Sequence, residues 1–232
     1  MSDDLEERAK RAAGRFAVDT FVAPDRCIGL GTGTTAYYAI ERAGELVAGG
    51  MPLRAVPSSH ETERLCREFG VPLARFGSAP IDVAIDGADE IGPDWSLIKG
   101  GGGALFREKA IAIAAASFVV VATARKMVAT LGAFPLPVEV VPFSADYVAR
   151  EIAALGAAVT VRERDGEPYT TDNGNTLLDC RFETIDDPAR LDAILSALHG
   201  VVTTGLFIGL TSRVIVARSD GTISEPRLNA RA

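Results

Sequence analysis

The chain has 232 residues, 24 Lys and Arg against 31 Asp and Glu, a net charge of −7 and a hydrophobic fraction of 47%. That length allows one large or two small domains with a substantial core, and the apolar and charged fractions are those of an ordinary globule, not of a disordered or membrane chain. The acidic balance argues against general nucleic-acid binding, so an anionic ligand must be held locally by a few Lys or Arg side chains and main-chain N–H groups.

The opening stretch, MSDDLEERAKRAAG, is charged and amphipathic and lacks the apolar centre of a secretion signal. The longest apolar run, 110–124, is too short to span a bilayer comfortably, so no membrane role is expected. A helix is predicted over 4–22, a strand over 26–30 leading into a Gly/Thr-rich turn, and a helix over 35–47. Further on come a strand at 53–56, a helix at 61–69, a strand at 81–86, a helix from the Gly run to about 116, and a wholly apolar strand at 118–122. Strands alternating with helices in this way predict a wound parallel sheet, with ligands at the carboxyl ends of its strands.

From about residue 136 the pattern changes to strand 138–141, helix 145–155, strands 158–163 and 176–182, helix 188–198 and strand 201–207. This β-α-β-β-α-β order is that of a ferredoxin-like split βαβ unit, with Asp187 capping and Pro188 opening its second helix. The stretch 213–217 and the Asp220-Gly221 turn form a terminal hairpin or strand that returns to the first domain. The predicted fold class is therefore α/β, a Rossmann-like wound parallel sheet (1–132 and 208–232) with a smaller ferredoxin-like α+β domain (133–207).

Cys27, Cys66 and Cys180 are far apart, with no Cys-x-x-Cys pair and no adjacent His to complete a zinc set. This predicts free thiols in a reducing, cytoplasmic compartment. His60 and His199 are the only histidines. One reads as an exposed helix-start residue and the other as a complement to a helix C-terminus, so chemistry is better sought among carboxylates and lysines.

Gly29-Leu-Gly-Thr-Gly-Thr-Thr-Ala36 lies between a strand and a helix, where main-chain N–H groups and a helix N-terminus can approach a phosphate. The hydroxyls of Thr32, Thr34 and Thr35 add donors. The same letters contain a dinucleotide fingerprint, but the acidic ribose partner expected about 20 residues on is missing, and the next strand ends in Ser58 and Ser59. With Thr62, those serines read either as a helix cap or as ligand donors.

Asp86-Gly-Ala-Asp89-Glu90 follows the third strand, where two carboxylates can bind sugar hydroxyls or trade a proton; an Asx-type turn is the simpler alternative. The stretch 98–109, IKGGGGALFREK, holds four successive glycines that run straight into a helix, which calls for a sharp bend or a close approach to a ligand. Lys99 before the bend and Glu108 after it are placed to converge on the edge that holds Asp86 and Asp89. A cation beside several carboxylates suits proton transfer next to a carbonyl. The segment 172–175, DNGN, reads as a hairpin turn.

These segments together resemble the type A ribose-5-phosphate isomerases. The matching stretches are GLGTGTTA at 29–36, SSHET at 58–62, DGADE at 86–90, IKGGGGALFREK at 98–109, FPLPVEVVP at 134–142, TDNGN at 171–175 and GVVTTGLF at 200–207. They run in order over nearly the whole chain, and the DGADE and KGGGGALFREK pair is the most specific. The resemblance implies metal-free and cofactor-free interconversion of D-ribose 5-phosphate and D-ribulose 5-phosphate, in a homodimer or homotetramer. It implies Glu108 as the base, Asp86 in ring opening, Asp89 on sugar hydroxyls and Lys99 on the enediolate. Substrate and phosphate would be held by Thr32, Gly33, Thr34, Thr35, Ser58, Ser59, Gly100, Gly101, Gly102 and Lys126, with Lys10 a further candidate. Thr34 stands where the family usually has Ser, Pro57 is a less usual residue, and the run after Phe207 departs more. A coenzyme A transferase-like enzyme using Glu108, a sugar-phosphate sensor without catalysis and a nucleotide-dependent oxidoreductase are the competing readings. No basic N-terminal helix-turn-helix extension supports the sensor.

Overall fold

The computed structural model describes residues 2–228. In chain order it runs α1 (Ser2–Phe21), β1 (Arg26–Leu30), α2 (Ala36–Ala48), β2 (Leu53–Pro57), α3 (His60–Glu68), β3 (Val83–Asp86), β4 (Glu90–Ile91), β5 (Leu97–Ile98), α4 (Leu105–Ala114) and β6 (Phe118–Thr123). It continues with β7 (Leu136–Val140), α5 (Ala145–Ala154), β8 (Ala158–Val161), β9 (Glu163–Arg164), β10 (Glu167–Pro168), β11 (Thr176–Arg181), α6 (Pro188–Ser196), β12 (Val201–Thr204), β13 (Leu206–Phe207), β14 (Arg213–Ala217) and β15 (Ile223–Ser224). The chain divides into two compact units. One holds the residues up to Ala88, Arg107–Met127 and those from Leu210 onward; the other holds Asp89–Phe106 and Val128–Gly209. The segment 89–106, which the sequence pattern gives to the first domain, thus clusters with the second unit.

The first unit is built on a six-stranded sheet of order β15-β14-β6-β3-β1-β2. Its strands are parallel except for the closing antiparallel pair β14 and β15. Alternate residues of a strand face opposite sides. On one side Ile28, Leu30, Ala55, Val83, Ile85, Val119, Val121 and Ile215 pack with Ala9, Ala13 and Ala17 of α1, Ala39, Ile40 and Ala43 of α2 and Leu65 of α3. The four-residue spacing 9, 13, 17 forms one stripe of α1, and alanine there lets the helix lie close. On the other side Gly29, Ala84 and Phe118 meet Ile111 of α4. Every residue of β6 is buried, as its unbroken apolar run requires in a covered parallel sheet.

The second unit holds a four-stranded antiparallel sheet of order β12-β7-β11-β8. Counting the four strands along the chain, that order is fourth, first, third, second, which is the split βαβ arrangement. Leu136, Val138 and Val140 of β7 and Leu178 and Cys180 of β11 form its core with Val148 and Ile152 of α5 and Leu195 of α6. Asp187 caps α6, its Oδ1 accepting from the Arg190 N–H at 3.0 Å, with Pro188 in the first turn.

Two strand expectations change. The stretch 158–163 stops at Val161, because Glu163–Arg164 turns away to pair with Glu167–Pro168. The stretch 201–207 breaks at Gly205, whose N–H donates to Pro137 O at 2.7 Å and whose carbonyl accepts from the Lys99 N–H at 2.9 Å. β12 therefore belongs to the four-stranded sheet, while β13 joins β5 and β4 in a three-stranded sheet.

Candidate active site

In the first unit β1 ends at Leu30 and the chain crosses to α2 through residues 31–35. The first helical bond of that crossing runs from the Tyr37 N–H to Gly33 O at 2.9 Å. The N–H groups of Thr34, Thr35 and Ala36 therefore have no carbonyl within the helix to bond to, which is what an anion at a helix start requires. Thr32 Oγ1 lies 2.8 Å from both Ser58 Oγ and Ser59 Oγ and 3.0 Å from Thr62 Oγ1. Ser59 Oγ also caps α3 by accepting from the Thr62 N–H at 3.0 Å. Ser58, Ser59 and Thr62 are buried, so the serines hold Thr32 in place and Thr34 is the exposed hydroxyl of the loop. A pocket of about 420 Å³ opens here, lined by Glu7, Thr32, Gly33, Thr34, Tyr37, Glu61 and Leu65. Glu7 accepts a hydrogen bond from the Tyr38 hydroxyl, which holds its carboxyl below the usual range.

Asp86 ends β3 and Glu108 stands in the first turn of α4; both are 4% exposed. The two carboxylates line one narrow cleft with Gly29, Gly31, Ser58 and Ile111. Asp86 Oδ1 accepts from the Gly87 N–H at 2.7 Å. The side chain lies against the main chain of residue 31 so closely that a Cβ there would be 1.8 Å from Asp86 Oδ1. That glycine is required by the approach of the carboxylate, whatever its φ.

In the second unit, Lys99 follows β5, is 3% exposed, and holds its Nζ 5.5 Å from the centre of the Phe207 ring, close enough for a cation–π contact. Asp89 Oδ2 accepts from the Gly101 N–H at 2.8 Å. The glycine run forms a tight turn, with the Gly103 N–H donating to Gly100 O at 3.0 Å. Glu90 is buried and takes the N–H groups of Gly132 and Phe134 at 2.8 and 2.6 Å, so the last acid of DGADE is spent on folding residues 132–134.

The remaining candidates are more dispersed. Lys126 sits half-buried in a single 3₁₀ turn, Ala124–Lys126, directly after β6. Lys10 on α1 donates to Glu7 Oε2 at 3.2 Å, next to the pocket beside Thr32. His60 and His199 are exposed. The segment at 172–175 is a turn closed by the Thr170–Thr176 bridge. Glu139, buried in β7, fixes it, accepting from Thr171, Asn173 and Asn175 on Oε1. All three thiols are buried, and burial pushes Cys66 and Cys180 up to about 12. Among the described residues no group of three or more His, Cys, Asp and Glu is placed to hold a metal ion, and no helix is long and apolar enough to cross a membrane. Glu7, Tyr37 and Arg162 are site neighbours that sequence patterns do not single out, since only tertiary approach brings them near the Thr32 and glycine loops.

Residues 54–221 match the family model described as ribose 5-phosphate isomerase A (phosphoriboisomerase A). The chain is 45% identical over 217 residues to ribose-5-phosphate isomerase A 1 of Oceanobacillus iheyensis, covering 93% of this chain and 96% of that one. It is 44% identical over 221 residues to the ribose-5-phosphate isomerase A of Parvibaculum lavamentivorans, covering 92% and 95%. Among solved structures, ribose 5-phosphate isomerase from Plasmodium falciparum superposes with a TM-score of 0.92 at 32% identity, covering 95% of this chain and 98% of that one. A D-ribose-5-phosphate isomerase in complex with phospho-erythronic acid gives 0.89 at 35% identity, with the same coverage of 95% and 98%. A strand-to-helix loop whose first N–H groups lie outside the helical bonding, two buried carboxylates lining one cleft, and a likeness that spans nearly the whole chain agree, and this chain belongs to the ribose 5-phosphate isomerase A family.

Proposed function

We propose that the chain interconverts D-ribose 5-phosphate and D-ribulose 5-phosphate through a cis-enediolate. The observation that carries this reading is the pair of buried carboxylates, Asp86 and Glu108, lining one cleft in a chain of this family. Asp86 assists opening of the furanose ring. Glu108 then takes the proton from C2 of the open aldose, the C–H electrons form the C1–C2 double bond, and charge collects on O1. The Lys99 ammonium stabilises that charge, a positioned cation in a dry site contributing several kcal/mol. The O2 proton passes to O1, and Glu108 returns its proton to C1; one carboxylate serves both carbons because they are adjacent.

Asp89 and the main chain of Gly100, Gly101 and Gly102 hold the sugar oxygens. The phosphate rests on Gly33, Thr34 and Thr35 at the start of α2, with Lys126 and Lys10 as its cations. Thr32 shapes that loop, and Ser58 and Ser59 act through it. The phospho-erythronic acid bound by one solved relative is a phosphate-bearing sugar acid, the ligand class proposed here. The buried free thiols suit a cytoplasmic enzyme, and we take the active form to be a homodimer or homotetramer. The test is to incubate the purified chain with ribose 5-phosphate in excess chelator and follow the ketose. Full turnover is expected, because the cation in this scheme is a lysine; turnover lost in chelator and restored by a divalent ion overturns it.

A further inference from the structure

Arg162 lies one residue beyond β8, with its main chain fixed on both sides: its N–H donates to Leu177 O and its carbonyl accepts from the Tyr169 N–H, each at 2.8 Å. Its guanidinium is paired side-on with Asp179 of β11, Nε reaching Oδ2 at 2.9 Å and Nη2 reaching Oδ1. The side chain is only 14% exposed. With that fork fixed, Nη1 is left pointing at the glycine turn, where it donates to Gly100 O at 2.8 Å and Gly101 O at 3.1 Å. The carbonyl and N–H of a trans peptide point to opposite sides. Holding the Gly100 carbonyl on Arg162 therefore turns the Gly101 N–H onto Asp89, and holding the Gly101 carbonyl turns the Gly102 N–H away from Arg162 as well. The far end of the turn is closed by Tyr169, whose hydroxyl would be 2.4 Å from a Cβ at position 103, where φ is +86°.

We propose that Arg162 is a positioning residue for the isomerisation: by bridging Asp179 to the two glycine carbonyls it fixes the turn that presents Asp89 and the Gly102 N–H to the sugar. The inference rests on the reading of Asp89 and Gly100–Gly102 as the sugar-binding segment. A bidentate guanidinium suits this task because it can hold a carboxylate in one plane and still supply a donor to the side. The proposed phosphate contacts sit on other segments, at 33–35 with Lys126 and Lys10, so the effect falls on the geometry of reaction more than on capture of substrate.

The test compares Arg162→Ala and Arg162→Lys with the unaltered chain, measuring kcat and KM on ribose 5-phosphate, thermal unfolding, and the amide resonances of Gly101 and Gly102 without substrate. Arg162→Ala should lose about tenfold to a hundredfold in kcat, the scale of a displacement of roughly 1 Å, with KM within about threefold. Arg162→Lys keeps a charged donor without the fork and should recover part of the loss. Both glycine resonances should move in Arg162→Ala. A folded Arg162→Ala protein with kcat within about twofold of the unaltered chain, or with unmoved glycine resonances, overturns the proposal. If Arg162→Ala does not fold, Asp179→Asn decides on the same readouts, since it weakens the buttress and spares the glycine contacts. If the unaltered chain does not isomerise ribose 5-phosphate, the functional reading fails, and the resonances still report whether the clamp exists.

Discussion

Glu108 combines three properties at one residue: a carboxylate, near-complete burial, and a place in the first turn of α4. Glu108→Gln keeps the shape and cannot accept a proton, so kcat should fall by at least about a hundredfold, the low end of general-base contributions. Substrate binding and the folded state should survive, and the neighbouring Lys109→Gln should stay close to full activity. Near-normal kcat in Glu108→Gln, with solvent exchange of the substrate proton abolished in Asp86→Asn, would move the base to Asp86. At this scale much was legible in the letters, because DGADE and the glycine run break ordinary propensity rules, and such breaks point to close approaches. Gly31 against Asp86 is one such approach. Arg162 was not legible, since nothing in RER at 162–164 tells an exposed charge from a clamp, and the glycines it clamps lie 61 and 62 positions away in the chain.

Among the elements, α3 depends on its cap. Ser59→Ala removes the acceptor for the Thr62 N–H and two hydroxyl contacts. It should cost about 1 kcal/mol and lower the melting temperature by about 2–4 °C for a chain of this size. KM should rise as well, because Thr32 loses one of its anchors; an unchanged KM would sever Ser59 from the phosphate loop. The long elements of both units follow directly from periodicity. The two-residue strands β4, β5 and β13 do not, because pairs as short as Glu90–Ile91 and Leu97–Ile98 carry no period and form only through partners elsewhere in the chain. The break at Gly205 is similar: its cause is two hydrogen bonds to Pro137 and Lys99, both remote in sequence.

For the whole molecule, one contribution to resistance to acid should come from an exposed charge network that joins α1 to α2. Glu45 on α2 takes a paired bond from Arg15 of α1 at 2.6 and 2.7 Å and a further one from Arg42 at 2.6 Å. The Arg15 and then the Arg42 guanidinium hold the Glu45 carboxyl down at about 2, from an ordinary 4.5. A carboxylate depressed on folding stabilises the native state above its unfolded pKa and loses that contribution as pH falls through the folded one. Between pH 4.5 and about 2, then, unfolding should become easier with each step of acid, and Glu45→Gln should flatten that limb in a urea titration. An unchanged limb in Glu45→Gln would assign acid lability to other carboxylates. The α/β class and the ferredoxin-like order were readable from the alternation of elements. The grouping of 89–106 with the second unit was not, since it follows from which strands pair, and the letters do not state that.

The parallel pairing of β14 with β6 joins residues 213–217 to 119–123. During synthesis on the ribosome, β6 therefore waits with one edge open while the whole of 128–209 is made. The nascent second unit has all its strands before the first has its last interior one. An open apolar edge of that kind invites pairing with other chains. Late arrival of five residues thus makes the interval between synthesis of β6 and synthesis of β14 the period in which a growing chain most needs protection from aggregation.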